Sequence, residues 1–247
     1  MLPDSFAKIG CHGVRTSTGE LTRFQVLGER SSGTNFVKNL IARNTQLKHS
    51  DELGWKHGFC QMIGAPSDMV VVCMVRNPES WALSMHARPW HTTTDLQRLE
   101  FSKFIRAEWQ TVIDKRRYFD KGWAYVSQLL QQDRHPLNGQ PFSSLFELRN
   151  IKLQALISML ARGVNCVFMR LEEVQADPEK TLEAFNYSMD LSFRPDEFRH
   201  INNSKGQRFR PAVEKRPATP ATMSSADRKF MWAELISEQE ESLGYRP

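Results

Sequence analysis

Seven consecutive apolar residues, MVVVCMV from Met69 to Val75, constrain the fold more than any other stretch of this chain. A half-buried strand alternates apolar with polar residues, and a surface helix spaces its apolar residues three or four apart. An unbroken apolar run this short, ended by Arg76, Asn77 and Pro78, fits a strand buried on both faces of a parallel sheet. Pro78 then suits the first position of a helix over PESWALSMHA, where its missing amide is not needed. The same strand, loop and helix occurs earlier. TRFQVLG, ended by Gly28, precedes TNFVKNLIARN, which carries Phe36, Val37, Leu40 and Ile41 at helical spacing. A third strand, NCVFMRLEEV, follows the apolar helix LRNIKLQALISMLARG, for which Gly163 is the stop. Asp177 and Pro178 read as the cap and first residue of PEKTLEAFNYSM, with Leu182 and Phe185 facing inward. This alternation predicts an α/β fold, a three-layer parallel sheet with helices on both faces and ligands at the carboxyl ends of the strands.

The 247 residues are read as one domain, 1–247, whose pattern weakens between about Pro89 and Pro141. There the polar helical segments QRLEFSKFIRAEWQTVIDKRRYFDKGWAYVSQLLQQ and the turn-rich DRHPLNGQP suggest a helical insertion or cap over the site. No apolar run approaches the roughly 20 residues of a membrane helix. The start, MLPDSFAKIGCHG, also lacks the apolar stretch of a signal peptide, so a cytoplasmic protein without a membrane partner is expected. Cys11, Cys60, Cys73 and Cys166 show no CxxC spacing, and Cys73 and Cys166 sit inside apolar runs, as buried core thiols do. The net charge of +5 points to anionic partners, and its placement has to say which.

Three segments bear on that question. Gly28 and Gly33 allow a tight turn around Arg30, Ser31 and Ser32, and Thr34 opens a helix whose N-terminus is partly positive, so the loop suits an oxyanion. An ATPase would need a lysine at Thr34 and an aspartate at the end of the apolar strand, and this chain has neither. Arg76 stands at a strand end, where a guanidinium can grip a phosphate, with Ser84 two turns down the next helix to donate a hydroxyl. RHINNSKGQRFRPAVEKRP, Arg199 to Pro217, holds six Lys or Arg against one acidic residue, and Lys205, Gly206 and Arg208 in a turn suit a lid on a polyanion.

Together these segments resemble the sulfotransferases that use 3′-phosphoadenosine 5′-phosphosulfate. In that family a 5′-phosphosulfate loop of the form PK-S-G-T-T-W follows the first strand, and ERSSGTNF stands in its place, Glu29 to Phe36. RNPESWALS matches the family's second signature, which assigns Arg76 and Ser84 to the 3′-phosphate, and SKGQRF, with Ser204, Lys205, Gly206 and Arg208, matches its late cofactor loop. RLEEVQADPEKTLEAF resembles a further family segment, so the likeness runs from about Phe24 to Phe209 and leaves the insertion unmatched. It implies a P-loop nucleotide-kinase-like fold, the phosphosulfate as donor, its bisphosphate as product, and no metal. The family's catalytic histidine corresponds to His57 in GWKHGF, with His86 and His91 in reserve.

The match departs at one catalytic position. The family lysine beside the bridging oxygen falls on Ser31, so that Arg30 or Lys56 has to supply the cation. Asn35 replaces a threonine, and Phe36 the adenine-stacking tryptophan. The acceptor pocket is expected from Trp81, His86, Trp90, His91, Trp109 and Trp123, for a small molecule bearing a hydroxyl or amine and not for a nucleic acid. The competing readings are a P-loop small-molecule kinase, a nucleic-acid module using the basic loop, and a cofactor binder that has lost catalysis at Ser31.

Overall fold

The structure, a computed structural model, describes residues 2–59, 61–62, 64–113, 129, 133–192, 197–201 and 208–247. In chain order its elements are α1 (Phe6–Ile9), β1 (Cys11–Val14), β2 (Arg23–Gly28), α2 (Thr34–Asn44), β3 (Lys48–His49), β4 (Met69–Val75), α3 (Pro78–Ala87), α4 (Thr94–Gln97) and α5 (Phe101–Phe104). They continue with α6 (Leu145–Ile157), extended by a 3-10 turn at Ser158–Ala161, then β5 (Cys166–Arg170), α7 (Leu171–Ala176), α8 (Pro178–Ser188), α9 (Ser225–Glu234) and α10 (Ser237–Ser242). The chain forms two compact units. The first comprises Met1–Pro78, Lys152–Gln207 and Ile236–Pro247, and the second Glu79–Ile151 and Arg208–Leu235.

The first unit holds a five-stranded sheet in the order β1-β5-β4-β2-β3. The four later strands run parallel, whereas β1 pairs antiparallel with β5, Cys11 opposite Met169. The sheet is therefore mixed, not parallel throughout as the sequence suggested. Only four residues long, CHGV contains a histidine and a glycine in place of an apolar run, so nothing local marks it as a strand.

Every residue of β4 is buried, as its apolar run requires of a strand flanked by β2 and β5. On one face Phe24, Val26, Val70, Val72, Met74, Val167 and Met169 meet Val37, Leu40 and Ile41 of α2, Leu171 and Val174 of α7, and Leu182 and Phe185 of α8. Each such side chain contributes about 1.5–3 kcal/mol by leaving water. The alternate residues Leu27, Val71, Cys73 and Phe168 point to the other face and are buried too. Asp177 Oδ1 accepts the Lys180 amide at 3.0 Å, and Pro178 opens α8, as their order in the sequence predicts.

Gln25 is a polar exception inside β2. Its Nε2 donates to Gly54 O and its Oε1 accepts from Leu53 N, both at 2.8 Å, which ties the segment carrying Lys56 and His57 to the sheet. With β3 on one side of β2 and β4 on the other, the chain changes direction between β2 and β4. At such a switch point the strand ends leave a crevice for ligands.

In the second unit, Phe101, Phe104, Trp109, Phe142 and Phe146 are buried, and α9 starts at Ser224, whose side chain accepts the Asp227 amide. The helices predicted for the insertion are short where they are described. After α5 the chain turns, and Trp109, Thr111 and Val112 sit in isolated β-bridges. Residues 114–128 and 130–132, including Trp123, lie outside the described residues. No helix among the described residues is long and apolar enough to cross a membrane.

Candidate functional site

The site is built at the carboxyl end of β2, in the first unit. Past Gly28 the loop turns through two left-handed residues, Ser31 at φ 65° and Gly33 at φ 86°. Ser32 Oγ donates to Glu29 O at 2.6 Å and closes the turn. Gly28 has to be glycine, because a Cβ there would lie 2.8 Å from Met74 O of β4. Gly33 caps α2 without a side-chain acceptor, and the first intrahelical bond is Val37 N–H to Gly33 O at 3.1 Å. The amides of Thr34, Asn35 and Phe36 precede that bond, at the positive end of the helix.

Both backbone groups of Gly28 hold the segment Trp55–Gly58. Gly28 N–H donates to Lys56 O at 2.9 Å, and Gly28 O lies 2.7 Å from His57 Nδ1. A carbonyl only accepts, so Nδ1 carries the proton and Nε2 the lone pair of the neutral ring. Burial, the Lys56 charge and more weakly Arg30 and Lys152 hold the His57 pKa well below its ordinary 6.5, against the opposing effect of the Gly28 carbonyl. The ring packs edge-on against Trp55, with centroids 5.5 Å apart.

Lys56 Nζ lies 2.5 Å from Asn35 Oδ1, in the first turn of α2. Its pKa falls from 10.5 to about 8, chiefly through burial and then through Lys38, while Asp51 pulls the other way. Arg76, the first residue after β4, donates from Nη1 to Ser31 O at 2.9 Å and so brings a guanidinium from the neighbouring strand to the loop. An uncapped helix start with Lys56 and Arg76 beside it suits a phosphate-type anion. A neutral histidine within the same segment can take a proton.

Arg30 sits differently. It is 2% exposed, its Nε lies 3.5 Å from Glu29 Oε1, and its guanidinium is 5.8 Å from the Trp55 ring. Glu29 also accepts the Arg30 amide at 2.7 Å and faces Lys152 Nζ of α6 across 3.5 Å. Lys152, 3% exposed, donates to His57 O at 2.6 Å and lies near the rings of Trp55 and Phe59. Sequence reasoning missed Gln25, Glu29, Trp55 and Lys152. A lone cation in NIKLQALI is the signal that could have found Lys152, since an apolar helix does not bury a charge without a partner.

Of the predicted site residues, the structure gathers Arg30, Ser31, Ser32, Gly33, Thr34, Asn35, Lys56, His57 and Arg76 around one loop. Phe36 packs against the hydrophobic core. Ser84, Trp81, His86, Trp90, His91 and Arg208 belong to the second unit, and Ser204, Lys205 and Gly206 lie outside the described residues. Trp81 is fully buried with the Arg149 guanidinium 5.1 Å from its ring, and Trp109 donates to Asp133 Oδ2 at 2.9 Å, so both are core residues and not acceptor contacts. His86 is a core residue as well. It is fully buried, with Nε2 3.0 Å from Leu99 O and Nδ1 2.7 Å from Thr219 Oγ1, and neither ring nitrogen is left for an acceptor or a proton transfer. His91 is buried in a left-handed conformation, φ 66°, whereas Trp90 is half-buried edge-on to Phe209.

Compared with known proteins, the chain matches no family model, no curated protein and no solved structure.

Proposed function

We propose that this chain is a sulfotransferase that moves a sulfuryl group from 3′-phosphoadenosine 5′-phosphosulfate to a hydroxyl or amine of a small-molecule acceptor. The proposal includes a P-loop nucleotide-kinase-like, three-layer arrangement of the α/β fold. The observation that carries it is the clamp at Gly28, which sets His57 beside the phosphate-type loop that Arg76 reaches from the next strand.

The donor, when bound, supplies an activated sulfuryl group on a phosphate. The amides at the head of α2, with Thr34, would hold the 5′-phosphate, and Arg76 would pair with the 3′-phosphate that sets this donor apart from ATP. His57 Nε2 takes the acceptor proton, while Nδ1–H stays on Gly28 O and keeps the ring in that tautomer. Lys56 stands in for the lysine missing at Ser31. Its ammonium is at the head of α2 on Asn35, whereas Arg30 is buried against Glu29 and Trp55.

Calorimetric titration with adenosine 3′,5′-bisphosphate, against ADP with Mg²⁺, tests this reading. Tight binding of the bisphosphate alone is expected. Arg76→Ala should weaken it by about 2–5 kcal/mol. His57→Ala should leave it intact but abolish transfer of labelled sulfate to a panel of acceptors. A preference for ADP with Mg²⁺, or binding of neither, overturns the reading.

A further inference from the structure

The groups around His57 include one pair that the proton transfer itself does not use. Glu29 and Lys152 are both buried, from the loop after β2 and from α6. Burying two charges costs more than their attraction returns unless each is also well hydrogen-bonded, so stability alone is a weak reason for the pair. Its hydrogen bonds lead to the site. The Glu29 carboxylate fixes the Arg30 amide at the first turn of the loop, and the Lys152 ammonium takes the His57 carbonyl at 2.6 Å.

We infer that Lys152, anchored by Glu29, is a positioning residue that holds the backbone of His57 so that its ring stays on Gly28 O with Nε2 presented. The inference rests on His57 being the proton acceptor of the proposed reaction. Two contacts then fix His57 and a third fixes the residue before it. Gly28 O takes the ring Nδ1–H, Lys152 takes the carbonyl, and Gly28 N–H takes the carbonyl of the preceding Lys56. The Trp55 ring packs on both partners, 5.5 Å from the His57 ring and 5.7 Å from Lys152 Nζ. Losing the Lys152 contact frees the peptide after His57 and lets the ring leave Gly28 O.

Lys152 carries a second consequence through its charge. The cations acting on the imidazole are Lys56, Arg30 and Lys152, with the Glu29 carboxylate between the last two. All three cations disfavour the imidazolium. Removing Lys152 therefore raises the His57 pKa, and the acidic limb of the activity profile moves to higher pH. A role confined to packing would not move that limb.

The test compares Lys152→Met, Lys152→Arg and Lys152→Gln with the unaltered chain, by NMR titration of His57 without donor and by the pH dependence of transfer. Lys152→Met should raise the His57 pKa and cut kcat roughly 10- to 100-fold with little change in bisphosphate affinity. Lys152→Arg should keep the pKa and recover part of the rate. If Lys152→Met does not fold, Lys152→Gln, which is neutral but still polar and leaves Glu29 paired with Arg30, should show the same pKa rise. An unchanged His57 pKa together with an unchanged rate in a folded variant overturns the inference. A raised pKa together with loss of the Nδ1–H bond to Gly28 O, read in the same NMR spectra, in a protein without sulfuryl transfer upholds the hold on His57 and overturns the proposed function instead.

Discussion

At the level of single residues, Lys56 and His57 are neighbours with opposite duties in the proposed reaction. His57 has to be neutral to accept a proton, and burial with three nearby cations keeps it neutral well below 6.5. Lys56 has to be charged, and its pKa of about 8 means that it begins to lose its proton in mildly alkaline solution. The rate should therefore fall on the acid side as His57 protonates and on the alkaline side above about pH 8 as Lys56 deprotonates. Lys56→Arg, whose guanidinium stays charged, should lose the alkaline fall, and Lys56→Gln should be slow at every pH. A pH profile of kcat/KM checks this, and an alkaline limb that persists in Lys56→Arg removes Lys56 from the role. The identity of these residues was legible in GWKHGF, but the proton on Nδ1 was not. That depends on the Gly28 carbonyl, which approaches His57 only in the folded chain.

Among the elements, β2 and β4 position the site through their register, Gly28 opposite Met74. A Cβ at residue 28 would meet Met74 O at 2.8 Å, and backbone cannot move aside as the tip of a side chain can. Gly28→Ala should destabilise the protein by about 1–3 kcal/mol, read from the urea midpoint, and should loosen His57 because its acceptor belongs to the same residue. An unchanged midpoint would show that the strands separate freely there. The strands β2, β4 and β5, with helices α2, α3, α6 and α8, were legible because apolar runs, Pro78, Asp177 and Pro178 are local signals. β1 and β3 were not, having four and two residues and taking their extended form from their neighbours in the sheet.

Across the whole molecule, four histidines with lowered pKa values, His12, His49, His57 and His86, link stability to pH. All four sit below 6.5 in the folded chain, mainly through burial. Below about pH 6.5 the unfolded chain therefore binds protons that the folded chain refuses, and stability falls as pH drops from there toward the folded values. Above that pH both states are neutral at these rings and the contribution is constant. The slope is at most about 1.4 kcal/mol per pH unit for each histidine. Melting temperatures from about pH 7.5 down to about pH 5 should decline, and His57→Asn with His86→Gln should flatten the curve to the extent that those two rings carry it. The same burial that makes His57 costly to protonate leaves its ring neutral at neutral pH.

Local order in the chain specified the strand, loop and helix around Gly28 and Gly33, because apolar runs, glycines and prolines act on their own few residues whatever surrounds them. It also marked Arg76, Lys56 and His57 by type and spacing. The partners of those residues came from folding. Gly28 clamps His57, Gln25 holds the loop before it, Glu29 pairs with Lys152, and Trp81, Trp109 and His86 enter the core. Each of these depends on which segments folding brings together within its own unit. A hydrogen bond or an ion pair leaves no periodic trace in sequence, so contacts of this kind become visible only when both partners are in place.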